Sequence, residues 1–360
     1  MKKLLSLLII LSILLCSLSS CASDKKRSVI TINEDTQIDT EVFTYFLNET
    51  YYSTPGISDS ECIELATSEC LEYIAVNTRF AQNGQALSPR EKADISTETN
   101  ALWRVYGDYY NEIGISKDTF FKIKQYEFCK ENIRLSLYDK DGTQPINEEY
   151  IKQYFTTNYV GIKYFYEEIY TVLSAEQYNA LSVYDKGIYD ATKKSAEERY
   201  KQISEVANYV NSSVYTMDEA FMAITGEVSA DIRVAADVIS KTGSSFSEEF
   251  VDAVFSQAVG SAFIITNSDR SYVYFIERVD LLDPRYNFYE EYRNECLKAV
   301  SESFLISEIN SWIKTYSAYR QLSRAERCLK KIQRVDRSKY TGTENYKFTS
   351  FLPKNLEAVK

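Results

Sequence analysis

The sequence contains no histidine in 360 residues. That excludes Ser-His-Asp and Cys-His catalysis, and removes both the commonest metal ligand and the side chain that ordinarily titrates between pH 5 and 8. Also missing are a glycine-rich phosphate loop of Walker type and a Gly-x-Ser-x-Gly nucleophile elbow. No Cys-x-x-Cys pair occurs. Beyond Cys16 and Cys21, the cysteines are Cys62, Cys70, Cys129, Cys296 and Cys328, an odd set without metal-ligand spacing. Cys62 and Cys70 fall about two turns apart on one expected helix, too far to bridge, so all five read as small buried hydrophobes. No metal and no cofactor is expected. Positive charge is in deficit, with 41 Lys and Arg against 52 Asp and Glu and a net charge of −11, which disfavours nucleic acid as a partner. After the first segment, no apolar run is long enough to span a bilayer.

What is present bounds the rest. A chain of 360 residues that is 44% hydrophobic has room for two or three domains. Charged and apolar residues interleave, so long disorder is not expected before the C-terminal tail. Thirty tyrosines admit two readings, a compositional bias or a surface that grips peptides with rings and hydroxyls.

The chain opens "MKKLLSLLIILSILLCSLSSCAS". Lys2 and Lys3 precede an apolar run from Leu4 to Cys16 that is short for a membrane span and reads as a secretory signal. Leu18-Ser19-Ser20-Cys21 is similar to a bacterial lipobox, in which Cys21 is lipidated and becomes the mature N-terminus. A lipid anchor at Cys21 would place the protein on the extracytoplasmic face of the bacterial cell membrane.

Helix signals then follow in series. Thr40 opens one helix. Ser58 with Glu61 makes a capping box for a second, which ends at Gly84. Ser88, Pro89 and Glu91 open a third, stopped by Gly114. Ser116 begins a fourth that runs to about Asp139, and Asn147 caps a short fifth. From Gly161 the pattern changes: "IKYFYEEIYTVL" is aromatic and β-branched, as in a strand. Helices are expected at Ala191–Asn211, Asp218–Ile224, Ser229–Ile239 and Ser247–Gln257, then two strands in "SAFIITNSDRSYVYFIERVD". Tyr286–Tyr316 is expected as one long amphipathic helix, with Phe288, Tyr292, Cys296, Val300, Phe304, Ile309 and Ile313 on its apolar side. The pairs Glu167–Glu168 and Glu248–Glu249 read as a strand edge and a helix first turn. The segment after it is basic and reads as a solvated helix face, or as one drawn to anionic lipid or cell-wall polymer.

This order resembles the extracytoplasmic foldases of the SurA and PrsA type: lipobox, helical N-terminal domain, parvulin-like (rotamase) domain, returning helix. The motif "FVDAVFSQAVG", Phe250 to Gly260, is similar to a parvulin helix and Gly turn. The resemblance implies a mostly helical α+β fold divided as signal peptide 1–21, helical chaperone domain 22–160, inserted parvulin-like domain 161–283, long helix 284–318 packing on the N-terminal domain, and basic tail 319–360. It also implies a proline or peptide pocket at Phe246 and Phe250. The family's two active-site histidines fall on Tyr164 and Tyr274, so the active site is expected to be degenerate.

The function expected from the resemblance is a membrane-tethered chaperone that binds unfolded or secreted polypeptides, leaning to catalytically inactive. Alternatives are an active peptidyl-prolyl isomerase and a lipid-anchored scaffold or solute-binding lipoprotein. A homodimer is compatible with this reading.

Overall fold

The computed structural model describes residues 27–33, 35–227, 234–267 and 271–340. The expected anchor Cys21 and the segment 341–360 lie outside the described residues. The fold is α+β and mostly helical, with two small antiparallel sheets.

The first half begins with strands β1 (Ser28–Ile32) and β2 (Thr36–Asp39) and continues through helices α1 (Thr40–Ser53), α2 (Asp59–Gln82), α3 (Pro89–Ile113) and α4 (Lys117–Tyr138). The starts of α2 and α3 are the expected capping boxes, Ser58 with Glu61 and Ser88 with Glu91. Gly114 ends α3 in the left-handed region (φ 92°), which a residue with a Cβ adopts only under strain.

The chain next forms α5 (Glu148–Asn158), β3 (Tyr159–Glu168), α6 (Ala175–Ala180), α7 (Val183–Asn211), α8 (Met217–Thr225) and β4 (Ala235–Ser240). It closes with α9 (Glu248–Phe255), β5 (Ala262–Thr266), β6 (Tyr272–Val279), α10 (Phe288–Ile313), β7 (Ala318–Arg320) and α11 (Leu322–Arg334). The helix expected over Ser229–Ile239 is corrected: Ala235–Ser240 is an edge strand. Its alanines favour a helix locally, but pairing with Tyr159–Tyr164 satisfies its backbone and Val238 and Ile239 are buried in the sheet.

Two compact units result, residues 1–143 with 302–360, and residues 144–301. Against the expected boundaries, α5 and the first half of α10 belong with the second unit's sheet. The reason is aromatic packing: Phe155 lies against Tyr159, Tyr289 and Tyr292, with ring centroids 5.3 to 5.9 Å apart. Arg293 donates two hydrogen bonds to Glu148, at 2.8 and 2.7 Å, joining α5 to α10.

In the first unit β1 is the central strand of the order β2-β1-β7. Its helices enclose Phe43, Leu47, Cys70, Val76, Ile95, Tyr110, Phe120 and Ile133, all nearly inaccessible to solvent. The segment expected as a solvated basic tail is instead integral here, because Ala325, Cys328, Leu329 and Ile332 of α11 are buried. Phe304, expected on the apolar side of α10, is about half exposed; Leu305 is buried in its place.

One carboxylate ties two helix starts together. Asp39 caps α1 through the amides of Glu41 and Val42. Glu41, itself buried, accepts hydrogen bonds from the amide of Ser116 (2.9 Å), the hydroxyl of Ser116, and the hydroxyl of Thr119 (2.7 Å) at the start of α4. Its charge faces the positive end of α4's dipole.

The second unit has sheet order β4-β3-β6-β5, antiparallel throughout. Helices α7 and α8 pack on one face through Ile203, Ala207, Ala220 and Phe221 against Phe165, Val273 and Phe275. Helix α9 packs on the other, where Phe250, Val251 and Val254 meet Ile162, Ile239 and Ile276.

Two outcomes follow from these contacts. Glu41→Ala leaves three donors at the start of α4 without their charged acceptor and should cost about 3 kcal/mol in urea unfolding, against a small effect for the exposed control Glu326→Ala. In the second unit, Arg293 holds the Glu148 carboxyl down to about 2 against 4.5. A lowered folded-state pKa gives stability that is present above about pH 4.5 and lost as pH falls towards 2. Arg293→Gln should flatten this acid limb, as read from unfolding midpoints at about pH 3 and about pH 6.

Candidate functional site

Strand alternation builds the site. Strands β3 and β6 pair so that Tyr166 stands opposite Tyr274, Tyr164 opposite Ile276, and Glu168 opposite Tyr272. Because side chains alternate with period two, Tyr164, Tyr166, Tyr272 and Tyr274 all fall on the α9 face, while Phe165, Val273 and Phe275 fall on the α7 face. The two central strands thus carry a block of four tyrosines on one side.

The loop into α9 adds two phenylalanines. Ser244 Oγ accepts from the Phe246 amide (3.2 Å) and Ser247 Oγ from the Phe250 amide (3.3 Å), which holds the loop and caps the helix. Glu248 and Glu249 occupy the first turn, where negative charge is favoured. At the other end Arg278, on β6, donates to the carbonyls of Val254 (2.8 Å) and Gln257 (2.9 Å), pinning α9 to the sheet. Burial draws the Arg278 pKa down from its ordinary value.

The rings form one connected group. Phe246 stacks on Phe250 at 4.3 Å, and Phe250 meets Tyr274 edge-on at 5.3 Å. Phe246 contacts Tyr164 at 6.2 Å and Tyr274 at 6.3 Å. Tyr166 then extends the group to Tyr274 at 5.9 Å and Tyr272 at 6.3 Å. Exposure rises along it: Phe250 is 5% exposed, Tyr272 36% and Tyr166 57%.

All four residues marked by the sequence, Tyr164, Tyr274, Phe246 and Phe250, are therefore neighbours. The stack of Phe246 on Phe250 covers the ring expected to line a pocket, so the group is a surface with a buried root. Tyr166 and Tyr272 were not singled out from sequence, although the alternating "YFY" and "YVY" triplets hold the signal. Burial, then the nearby Asp237 carboxylate, pushes the Tyr164 phenol above its ordinary pKa, so at neutral pH it keeps its proton and can donate. Glu168 beside Tyr272 pushes that phenol up as well.

Other chemistry has little to stand on. Burial pushes the thiols of Cys62 to about 11 and of Cys129 and Cys296 to about 12, leaving them protonated and unreactive. Among the described residues, no group of three or more Cys, Asp or Glu could hold a metal, and no helix is long and apolar enough to cross a membrane. Glu167, from one of the carboxylate pairs, bonds Arg199 of α7 at 2.9 Å.

The gradient of burial sets distinct costs for truncation. Phe250→Ala should destabilise the second unit by about 3 to 5 kcal/mol, whereas Tyr166→Ala should cost under about 1 kcal/mol. Chemical denaturation of the two variants checks this, and a cost for Tyr166→Ala as large as that for Phe250→Ala would refute the assigned exposure.

No family model matches the chain, and no curated protein does. Among solved structures it is similar to the foldase protein PrsA of Lactococcus lactis, at 14% identity, covering 85% of this chain and 99% of that one with a TM-score of 0.36. It is similar to PrsA of Streptococcus pneumoniae at 13% identity, covering 69% and 82%, with a TM-score of 0.34. PrsA of Bacillus subtilis is similar at 14% identity, covering 77% and 86%, with a TM-score of 0.28. At these identities and TM-scores the likeness assigns no role to any side chain, and the site stands on its own geometry.

Proposed function

We propose that this chain is a membrane-tethered extracytoplasmic chaperone of the foldase type, which holds unfolded polypeptide on the aromatic face of its second unit. The observation that carries the reading is the connected run of Phe246, Tyr274, Tyr166 and Tyr272, rooted on buried Phe250 and open to solvent at Tyr166. Tyrosine rings offer rigid apolar area with a polar tip at low entropic cost, which suits transient capture of varied apolar and aromatic segments. Covering one exposed ring contributes on the order of 1 kcal/mol, so a few rings give weak, rapidly reversible binding. That is what release of a client requires.

Isomerisation asks for more. Twisting an X-Pro amide crosses a barrier of about 20 kcal/mol, and lowering it needs a proline slot with polar groups matched to the twisting amide. Here Phe246 lies over Phe250, and phenols stand where the resemblance puts imidazoles. The proposal therefore assigns the face to holding and not to turnover. The anchor at Cys21 belongs to the same proposal and is tested by fatty-acid labelling of cells, in which Cys21→Ala should abolish incorporation.

Suppression of aggregation of a reduced test protein is the deciding measurement. Tyr166→Ala combined with Tyr272→Ala should weaken suppression several-fold with the fold intact, while Tyr164→Phe should leave it almost unchanged. In proline-limited refolding the protein should give no acceleration. A large acceleration lost in Tyr274→Phe would instead establish an active isomerase.

A further inference from the structure

The first unit holds a cavity of about 220 Å³ with a cationic rim formed by Arg27, Arg324, Arg327 and Lys331. The last three lie at i, i+3 and i+7 of α11, on one stripe of the helix, with Glu326 on the opposite side. Residues three and four apart are neighbours on a helix, so one face gathers three positive charges. It is also out of keeping with a chain whose net charge is −11. Thr40 and Thr44 of α1 and the Gly114 turn complete the wall. Gly114 leaves room for the lysine there, since a Cβ at that position would lie 2.5 Å from Lys331 Nζ.

The placement of this cavity adds a second, independent observation. The start of α11 is locked to the first described strand: Ile30 pairs with Arg320, the Gln321 amide donates to Val29 O (2.8 Å), and Arg324 donates to Ser28 O. Five residues lie between Arg27, on the rim, and Cys21, a reach of at most about 20 Å even when fully extended. An anchor at Cys21 would hold this rim, and not an arbitrary face of the unit, against the bilayer.

We propose that the cavity and the Arg324–Arg327–Lys331 stripe are a docking site for the phosphate of anionic phospholipid headgroups. The site would orient the first unit on the membrane. The orientation rests on the reading of Cys21 as the anchor; the binding does not. Guanidinium groups at Arg324 and Arg327 match phosphate oxygens in a fork, and Lys331 adds a point charge. Each basic side chain near an anionic surface strengthens binding about fivefold.

The test uses residues 22–360 without lipid, sedimented with vesicles of phosphatidylcholine alone or with about a third phosphatidylglycerol. The protein should sediment only with the anionic vesicles, less so as salt rises. Arg327→Gln with Lys331→Gln, both exposed, should lower the partition coefficient about 25-fold. Arg327→Lys with Lys331→Arg should bind like the unaltered protein, which separates charge from any loss of fold. Lys193→Gln with Lys194→Gln, on α7, should change nothing. Equal partition into both vesicle types, or an equal loss from the α7 pair, would overturn the proposal. So would binding of inorganic phosphate, or of soluble polyglycerol phosphate, without any preference for anionic vesicles. Because this protein lacks Cys21, failure here leaves the anchor to its own labelling test.

Discussion

The pairing of Tyr166 with Tyr274 across the two central strands of the second unit governs what that unit can do. In this register Phe165 and Phe275 stack against each other at 5.1 Å within the core beneath α7 and α8, and the tyrosines stand on the far side. A slip of one residue would send the tyrosines under the helices and the phenylalanines into water. The same pairing sets Arg278 where it can hold the end of α9, and so decides where Phe246 and Phe250 sit. Core and candidate site are thus two sides of one register choice.

The abundance of tyrosine has one meaning in the first unit and two in the second. In the first, tyrosines are structural: Tyr109 donates to Asn48 Oδ1 at 2.5 Å, Tyr126 donates to Glu72 at 2.7 Å, and Tyr45, Tyr110 and Phe120 pack as a cluster. There each hydroxyl bond lets a polar tip be buried with a large ring. In the second unit Tyr159, Tyr170 and Tyr289 are buried in the same way, while Tyr166 and Tyr272 lie at the surface. Compositional bias and a gripping surface are therefore not exclusive.

Local signals were the most legible part of the sequence. The capping boxes at Ser58 and Ser88 and the glycine stop at Gly114 involve residues within one turn of each other, and their chemistry needs no tertiary context. Tyr164, Tyr274, Phe246 and Phe250 could be marked as a group because a family resemblance supplied their relation. Tyr166 and Tyr272 could not, since their exposure depends on which face α9 covers. Strand β4 departs from its local sequence for a related reason: its alanines suit a helix, and only the partner strand decides otherwise. The burial of α11 was equally hidden, because its cationic stripe speaks of solvent while Leu329 and Ile332 need a core that the chain builds near its beginning.

Strand β1 lies between β2, its neighbour in sequence, and β7, which comes nearly at the end of the described chain. A chain that emerges N-terminus first, from a ribosome or across a membrane, delivers these partners in that order, so β1 and α1 to α4 wait with one strand edge unpaired and the seat of α11 empty. Residues 144–301 are complete well before then and can fold while the flanking halves wait. Closing the first unit is therefore the final event of its folding, and it joins segments as distant as Val29 and Gln321. Such long-range closure is slow and leaves apolar surface uncovered in the interval. Under the proposed function, a protein that holds unfinished chains would itself spend its early life as one.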